Sequence, residues 1–196
     1  MTIKKDKYPA LYQASLELFA NFGYKKTTVE NVADKLSMTK GNLYFYVKNK
    51  KQLYEQTINY ALAQWQKHVQ KAVAKRTDPV EKFQTMAVSA LAYIEKNGPL
   101  RRVIMNDPTM FTLSPKEDRF SEANQAAMAI IRQTLEQGIE QKRFYPMEVD
   151  EVTVYLFSVY MMFLIKTYAN KDQSSPKQLF KTALELTLRG LLIKER

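Results

Sequence analysis

Cysteine is absent from this chain of 196 residues, and histidine occurs once, at His68. The first absence removes disulfides, thiolate nucleophiles and thiolate metal ligands. The second leaves a lone imidazole in Gln66-Lys67-His68-Val69-Gln70-Lys71, a polar helix face where a solvated ring is the expected setting. One histidine makes no metal site by itself. With five glycines, none in a phosphate-cradling loop, and acids such as Asp150 and Glu151 that are adjacent and so point to different helix faces, there is no constellation for catalysis. No catalytic residue, metal site or cofactor is expected, and the chain is not read as an enzyme. Long apolar runs are lacking too: Val154 to Ile165 is broken by Ser158 and falls short of the roughly 18 residues a membrane span needs. Residues Met1 to Tyr8 are charged where a secretory leader turns apolar, so no membrane partner and a cytoplasmic location are expected. What is present is 45% hydrophobic and 12% aromatic residues, enough for a true core. The length fits one domain, or a small module on a larger body.

Acidic residues are scarce in one part of the chain only. Residues 1–76 hold 14 Lys+Arg and five Asp+Glu, whereas the remaining 120 hold 16 and 15, so nearly all of the net +10 sits in the first two fifths. A basic module on a near-neutral body points to a polyanion partner for the module and another task for the body. Charge alone leaves a merely solvated basic surface as an equal reading.

Apolar residues recur at three and four throughout, and punctuation falls where helices start and stop, so the fold expected is all-α with about nine helices and no strand. Leu11, Ala14, Leu18, Phe19 and Phe22 form one stripe that Gly23 ends. Thr27-Thr28-Val29-Glu30 reads as a capping box with Thr27 as the cap. Thr39 then caps a third helix expected over Lys40 to Val47, with Leu43 and Val47 inward. Two short helices three residues apart form a helix-turn-helix. A long fourth helix, Lys50 to about Lys75, buries Tyr54, Ile58, Ala61, Leu62, Trp65 and Val69 and joins module to body. Asp78-Pro79 opens a fifth, Gly98-Pro99 ends it before a sixth at Leu100 to Asn106, and Asp107 to Ser114 is an apolar loop. Ser114-Pro115-Lys116-Glu117 signals a seventh helix running to about Arg143, Pro146 precedes an eighth from Val149 to Tyr168, and Ser175-Pro176 opens the last, ending near Ile193.

The stretch Leu18-Phe19-Ala20-Asn21-Phe22-Gly23-Tyr24, then Thr27 to Ala33, then Met38-Thr39-Lys40-Gly41-Asn42-Leu43-Tyr44-Phe45-Tyr46-Val47-Lys48-Asn49-Lys50 resembles the DNA-binding domain of the TetR family of bacterial transcriptional regulators. The resemblance covers residues 5–65, with the helix-turn-helix at about 28–47. It departs at Tyr46, where the family pattern usually carries His, and at Val47, where it carries Phe. The chemistry of the residues agrees. A helix-turn-helix presents the start of its second helix to the major groove, which here offers Lys40, Gly41, Asn42 and Phe45. Gly41 lets backbone approach DNA, and the Asn42 amide matches adenine N6 and N7. Tyr44 and Tyr46 offer hydroxyls to phosphates, while Thr27 or Thr28 sits at a helix start that favours an anion. Thr39, Lys48 and Lys50 complete the expected DNA contacts.

One module covers a half-site, so a homodimer on a palindromic operator is expected, with double-stranded DNA as partner. The last two helices are apolar nearly all round, and a helix of that kind is buried on more than one side. Val152, Tyr155, Leu156, Val159, Tyr160 and Phe163 with Leu179, Ala183, Leu186 and Leu191 are the expected dimer interface. The resemblance implies a four-helix interface from these helices of two subunits. It also implies that residues 66–196 form a ligand-binding and dimerisation domain, that a small-molecule effector binds there, and that the outcome is repression relieved by that effector. Met86, Tyr93, Met105, Met110, Phe111, Met128, Phe157 and Met161 are the candidate lining of a largely apolar pocket, since methionines adapt to varied shapes. A nonspecific DNA-binding protein without ligand response is the alternative.

Overall fold

The computed structural model describes residues 8–112, 114, 116–169 and 176–193. Among the described residues the chain is all-α, with nine α-helices and no strand beyond one isolated bridge between Phe144 and Leu192. The helices are α1 (Tyr8–Lys26), α2 (Val29–Lys35), α3 (Lys40–Tyr44), α4 (Lys50–Val73), α5 (Pro79–Lys96), α6 (Gly98–Asn106), α7 (Ser121–Glu140), α8 (Val149–Leu164) and α9 (Pro176–Leu191). A 3-10 turn at Pro108–Met110 follows α6, and a π-helical turn at Ile165–Ala169 extends α8.

Local chemistry sets most of the ends. Gly23 takes φ 74° and ψ 168° inside α1, a conformation that a side chain disfavours, and the helical stripe breaks there as the sequence predicts. Thr28, not Thr27, is the cap of α2. Its hydroxyl accepts from the Asn31 amide at 3.1 Å, and the Asn31 side chain accepts in return from the Thr28 amide at 2.9 Å. Thr27 is buried, its hydroxyl donating to the carbonyls of Gly23 at 2.9 Å and Leu18 at 3.2 Å, which sews the α1 break to the start of α2. Asp78 caps α5 ahead of Pro79, and Asn97 accepts from the Leu100 amide at 3.1 Å to start α6.

Three expected ends are corrected. The third helix stops at Tyr44 instead of Val47, because the amides of Phe45 and Tyr46 turn back tightly to Asn42 and Leu43. The seventh starts at Ser121, not at Ser114-Pro115. Burial of Phe120, and Asp118 accepting from the Phe120 amide at 2.9 Å, hold the chain in a turn first. The eighth leaves α geometry at Leu164, and the wider turn that follows buries Tyr168. Leu113, Pro115 and Ser175 lie outside the described residues.

α4 is the spine. Leu53, Ile58, Leu62, Trp65, Val69 and Val73 are all buried along it, the first part against α1 and the second against α5 and α7. Because α4 runs without a break through residues 65 and 66, the expected boundary between the two domains falls inside a shared helix. Two apolar clusters result. The larger joins the helix-turn-helix to α4 and α6, and the smaller comprises Phe83, Ile131, Leu135, Phe144, Leu156, Leu188 and Leu191.

The smaller cluster depends on a close approach. α7 ends where the amides of Arg143 and Phe144 both donate to the Gly138 carbonyl, at 2.8 and 3.0 Å, which folds the Phe144 ring onto Gly138. A Cβ there would stand 1.9 Å from Phe144 Cδ2. Alanine is the better helix former by about 1 kcal/mol, but overpacking costs about 1–3 kcal/mol, and Phe144 has no exposed surface to swing into. Gly138→Ala should therefore lower the midpoint of urea unfolding; an unchanged or higher midpoint would show that the ring yields.

Candidate functional site

Two features stand out from the fold, an exposed helix-turn-helix and an apolar cavity. In the first, Leu43 and Val47 are buried beneath α3, and this anchoring turns the opposite side of the short helix outward. Lys40, Gly41, Asn42, Tyr44 and Phe45 are exposed there, Phe45 at 75%. A large apolar ring left in water at that level indicates contact surface more than packing. Gly41 has open space where a Cβ would stand. Thr39 is exposed and caps α3, accepting from the Asn42 amide at 3.2 Å, and Thr28 is exposed at the start of α2.

Lys40 pairs with Glu30 across the turn between α2 and α3. The hydrogen bond from Lys40 lowers the pKa of Glu30, and the same bond raises that of Lys40. Lys48 is exposed, whereas the Lys50 ammonium donates to the Lys25 carbonyl at 3.2 Å and lies 4.6 Å over the Tyr24 ring. Tyr46 is half-buried, edge-on to Tyr8 at 5.5 Å. Thr27 is brought to no surface, since its hydroxyl is buried against main-chain carbonyls, so the expectation that it faces an anion is corrected.

The cavity, of about 130 Å³, lies where the two apolar clusters meet. Met86 and Phe157 pack against both clusters and line it. Phe111 and Met161 also line it, as expected. Four other expected residues do not. Met105 is exposed on the outer side of α6, Met110 is buried in the larger cluster, the Tyr93 ring lies tilted 5.0 Å from that of His68, and Met128 sits half-buried outside the lining. The sequence reading missed Trp65, Gln66, Val69 and Tyr160, which face the cavity from α4 and α8. Their signal was present in α4, whose apolar stripe is broader than one neighbour needs. Among the described residues no charged side chain lines the cavity.

Of the expected dimer residues, Tyr155, Leu179 and Leu186 are exposed, and Val152, Val159 and Ala183 are partly so. Leu156, Phe163 and Leu191 are instead buried within the subunit, and Tyr160 turns to the cavity, because these positions lie on the sides of α8 and α9 that face α5 and α7. Val154 and Met162 are further exposed apolar residues of α8.

Residues 11–57 match the family described as bacterial regulatory proteins, tetR family. The segment that holds the helix-turn-helix is thus similar to the tetR family. It is 22% identical to an uncharacterized HTH-type transcriptional regulator, YhgD, of Bacillus subtilis over 95% of this chain and 97% of that one. It is also 25% identical to the HTH-type transcriptional repressor KstR2 of Mycolicibacterium smegmatis, over 75% of this chain and 71% of that one. Its fold is shared with the transcriptional regulator FadR from Bacillus subtilis, solved in complex with stearoyl-CoA. That structure has TM-score 0.76 and 18% identity, with 94% of this chain and 99% of that chain covered. The chain is thus a transcriptional regulator with a helix-turn-helix and not an enzyme. Among the described residues no helix is long and apolar enough to cross a membrane, and no three His, Asp or Glu are grouped to hold a metal.

In this regulator one polar knot connects the cavity wall to the DNA-reading module. Asp107, in the loop that carries Phe111, accepts from Tyr54 of α4 at 2.8 Å, Arg119 at 2.8 Å and Thr109 at 2.6 Å. The Tyr54 ring in turn meets Phe19 and Tyr24 edge-on, at 4.9 and 5.1 Å. Burial by itself would raise the Asp107 carboxyl, but the three donors and the Arg119 charge hold it below its usual 3.8. A carboxylate with a lowered folded pKa stabilises fully above its unfolded value, and that stability is lost as pH falls through the folded value. Asp107→Asn should therefore lose less stability than the parent between pH 5 and pH 3 in urea melts; parallel acid limbs would show that Asp107 titrates alike in both states.

Proposed function

We infer that the regulator is a homodimer that reads a palindromic operator through α3 and is released from it by a small, largely apolar effector held in the cavity. The observation that carries the reading is the outward face of α3, where Lys40, Asn42, Tyr44 and Phe45 are exposed above buried Leu43 and Val47 on a strongly basic module. In this reading Asn42 reads a base edge by its amide, Phe45 meets a thymine methyl, and Gly41 permits close approach. Lys40, Tyr44, Tyr46, Lys48, Thr28 and Thr39 hold phosphates and fix register. Lys50 acts mainly by steadying the Lys25 end of α1, as its ammonium is already engaged. A regulator that works on DNA in this way would act in the cytoplasm.

The exposed apolar strip of Val154, Tyr155, Met162, Leu179 and Leu186 on α8 and α9 supports the dimer, in which two recognition helices would stand about 34–36 Å apart. The relatives support a ligand-released repressor, one being a repressor by name and another a FadR that holds stearoyl-CoA. A ligand that prefers a spacing that does not fit the operator lowers DNA affinity by the factor by which DNA lowers ligand affinity. The run from Phe111 through Asp107 and Tyr54 to Phe19 and Tyr24 is a contiguous route for that coupling.

Selection from a random DNA pool, at physiological salt with nonspecific competitor, tests the function. A palindrome should be enriched; survival of unselected sequence would favour a nonspecific binder. On the selected site Asn42→Ala should relax discrimination at one base step by about 1–3 kcal/mol, while Lys48→Ala should weaken all sequences alike and reduce the salt slope by about one. Equal effects from the two would contradict the division of roles. Leu186→Glu, on a side chain 62% exposed, should leave the melting temperature of the subunit nearly intact yet give a monomer in sedimentation; a persistent dimer would move the interface elsewhere.

A further inference from the structure

Among the described residues three buried side-chain oxygens have no hydrogen-bond partner: those of Ser15, Thr153 and Tyr160. Only Tyr160 lines the cavity. Buried hydroxyls are nearly always paired, and an unpaired one in a native fold calls for an explanation. Of the other donors on the cavity wall, those of Trp65, Gln66 and Asn124 are engaged, and Thr187 adds a hydroxyl that is only part-buried. The Trp65 indole N–H donates to the Ala90 carbonyl at 2.9 Å, the Gln66 amide donates to the Ala123 carbonyl, and the Asn124 amide donates to Asp118 at 3.0 Å. Burial, helped by the neighbouring Tyr168, pushes the pKa of Tyr160 well above its usual value, so its hydroxyl keeps its proton. Among the described residues the wall carries no charge that could balance a carboxylate or an ammonium, and an unpaired ion in such a place is costly.

Resting on the reading of the cavity as the effector site, we propose that the effector is an uncharged molecule whose buried part carries an acceptor oxygen, and that this oxygen takes the Tyr160 hydroxyl. The rest of that part is apolar and about the size of a six-membered ring, since a cavity near 150 Å³ takes benzene and this one is about 130 Å³. The polar group gives orientation, and the apolar wall supplies most of the affinity.

Cyclohexane and cyclohexanone, alike in shape and differing by one acceptor, test this in the full-length protein through the rise in melting temperature followed by circular dichroism. The parent should bind both. Tyr160→Phe keeps the ring, so cyclohexane should bind it within twofold of the parent, whereas cyclohexanone should bind about tenfold more weakly, the worth of one hydrogen bond at about 1.4 kcal/mol. The unliganded variant should melt at or above the parent temperature, because it loses only an unsatisfied hydroxyl; a lower temperature would reveal a structural partner for Tyr160 and overturn the proposal. Equal loss or equal retention of the two probes would overturn it while leaving the cavity as a binding site. If neither probe shifts the parent, the cavity is no ligand site of this size, and the underlying reading fails with the proposal.

Discussion

The apolar stripe of α4, from Leu53 through Ile58, Leu62 and Trp65 to Val73, is buried from end to end, first against α1 and then against α5 and α7. A 24-residue helix held on two cores is a stiff strut of about 36 Å at 1.5 Å per residue. The recognition helix is anchored near one end of it and the cavity is lined by its middle, at Leu62, Trp65, Gln66 and Val69. Truncating a fully buried residue such as Ile58 to alanine would typically cost about 2–5 kcal/mol, so neither end can release α4 without giving up a large share of the fold's stability. Any change at the cavity would therefore travel by tilt or shift of the strut more readily than by its melting. The surface ion pairs, such as Lys35–Glu17 at 2.9 Å, contribute little beside this, each about 0–1 kcal/mol.

The cavity follows from the same constraint. Two clusters of large side chains, one built around α1, α4 and α6 and the other around α7, α8 and α9, meet along a seam that neither fills. Met86 and Phe157 touch both sides, and methionine in particular can change rotamer without leaving either. A void between two packed units is a place where a ligand acts on their relative position, whereas a void inside one unit would only fill.

Features fixed by neighbours in sequence were legible. The Asp78 and Pro79 start of α5, the break at Gly23 and the burial of Leu43 and Val47 all depend on a few adjacent residues. The cap of α2 was misplaced by one because both registers are well formed: Thr27 has Glu30 three residues on and Thr28 has Asn31. The choice fell to burial, which only the packed fold decides. Alternation along α8 likewise shows that it is apolar on several sides, but not which side meets a core, a void or another subunit. Leu156, Tyr160 and Phe163 look alike in sequence to Val154 and Tyr155, yet the first three line the cavity and the last two face solvent. Methionine clustering located the right region for the cavity, but it could not separate Met161 on the wall from Met110 in the core or Met105 in solvent.

The recognition helix has only five residues and α2 only seven, lengths at which an isolated helix in water is not stable. Their order comes from Leu43, Val47, Val29 and Val32 seated on α1 and α4, with Ser37 at φ 53° in the turn between them. Opening of α3 alone breaks few hydrogen bonds and exposes only Leu43 and Val47, so it lies below global unfolding on the local stability scale. Amide protons of α3 would exchange early in the free regulator. DNA, by clamping that corner, would act as a local stabiliser, so part of its affinity is set by how often α3 is already folded before the two meet.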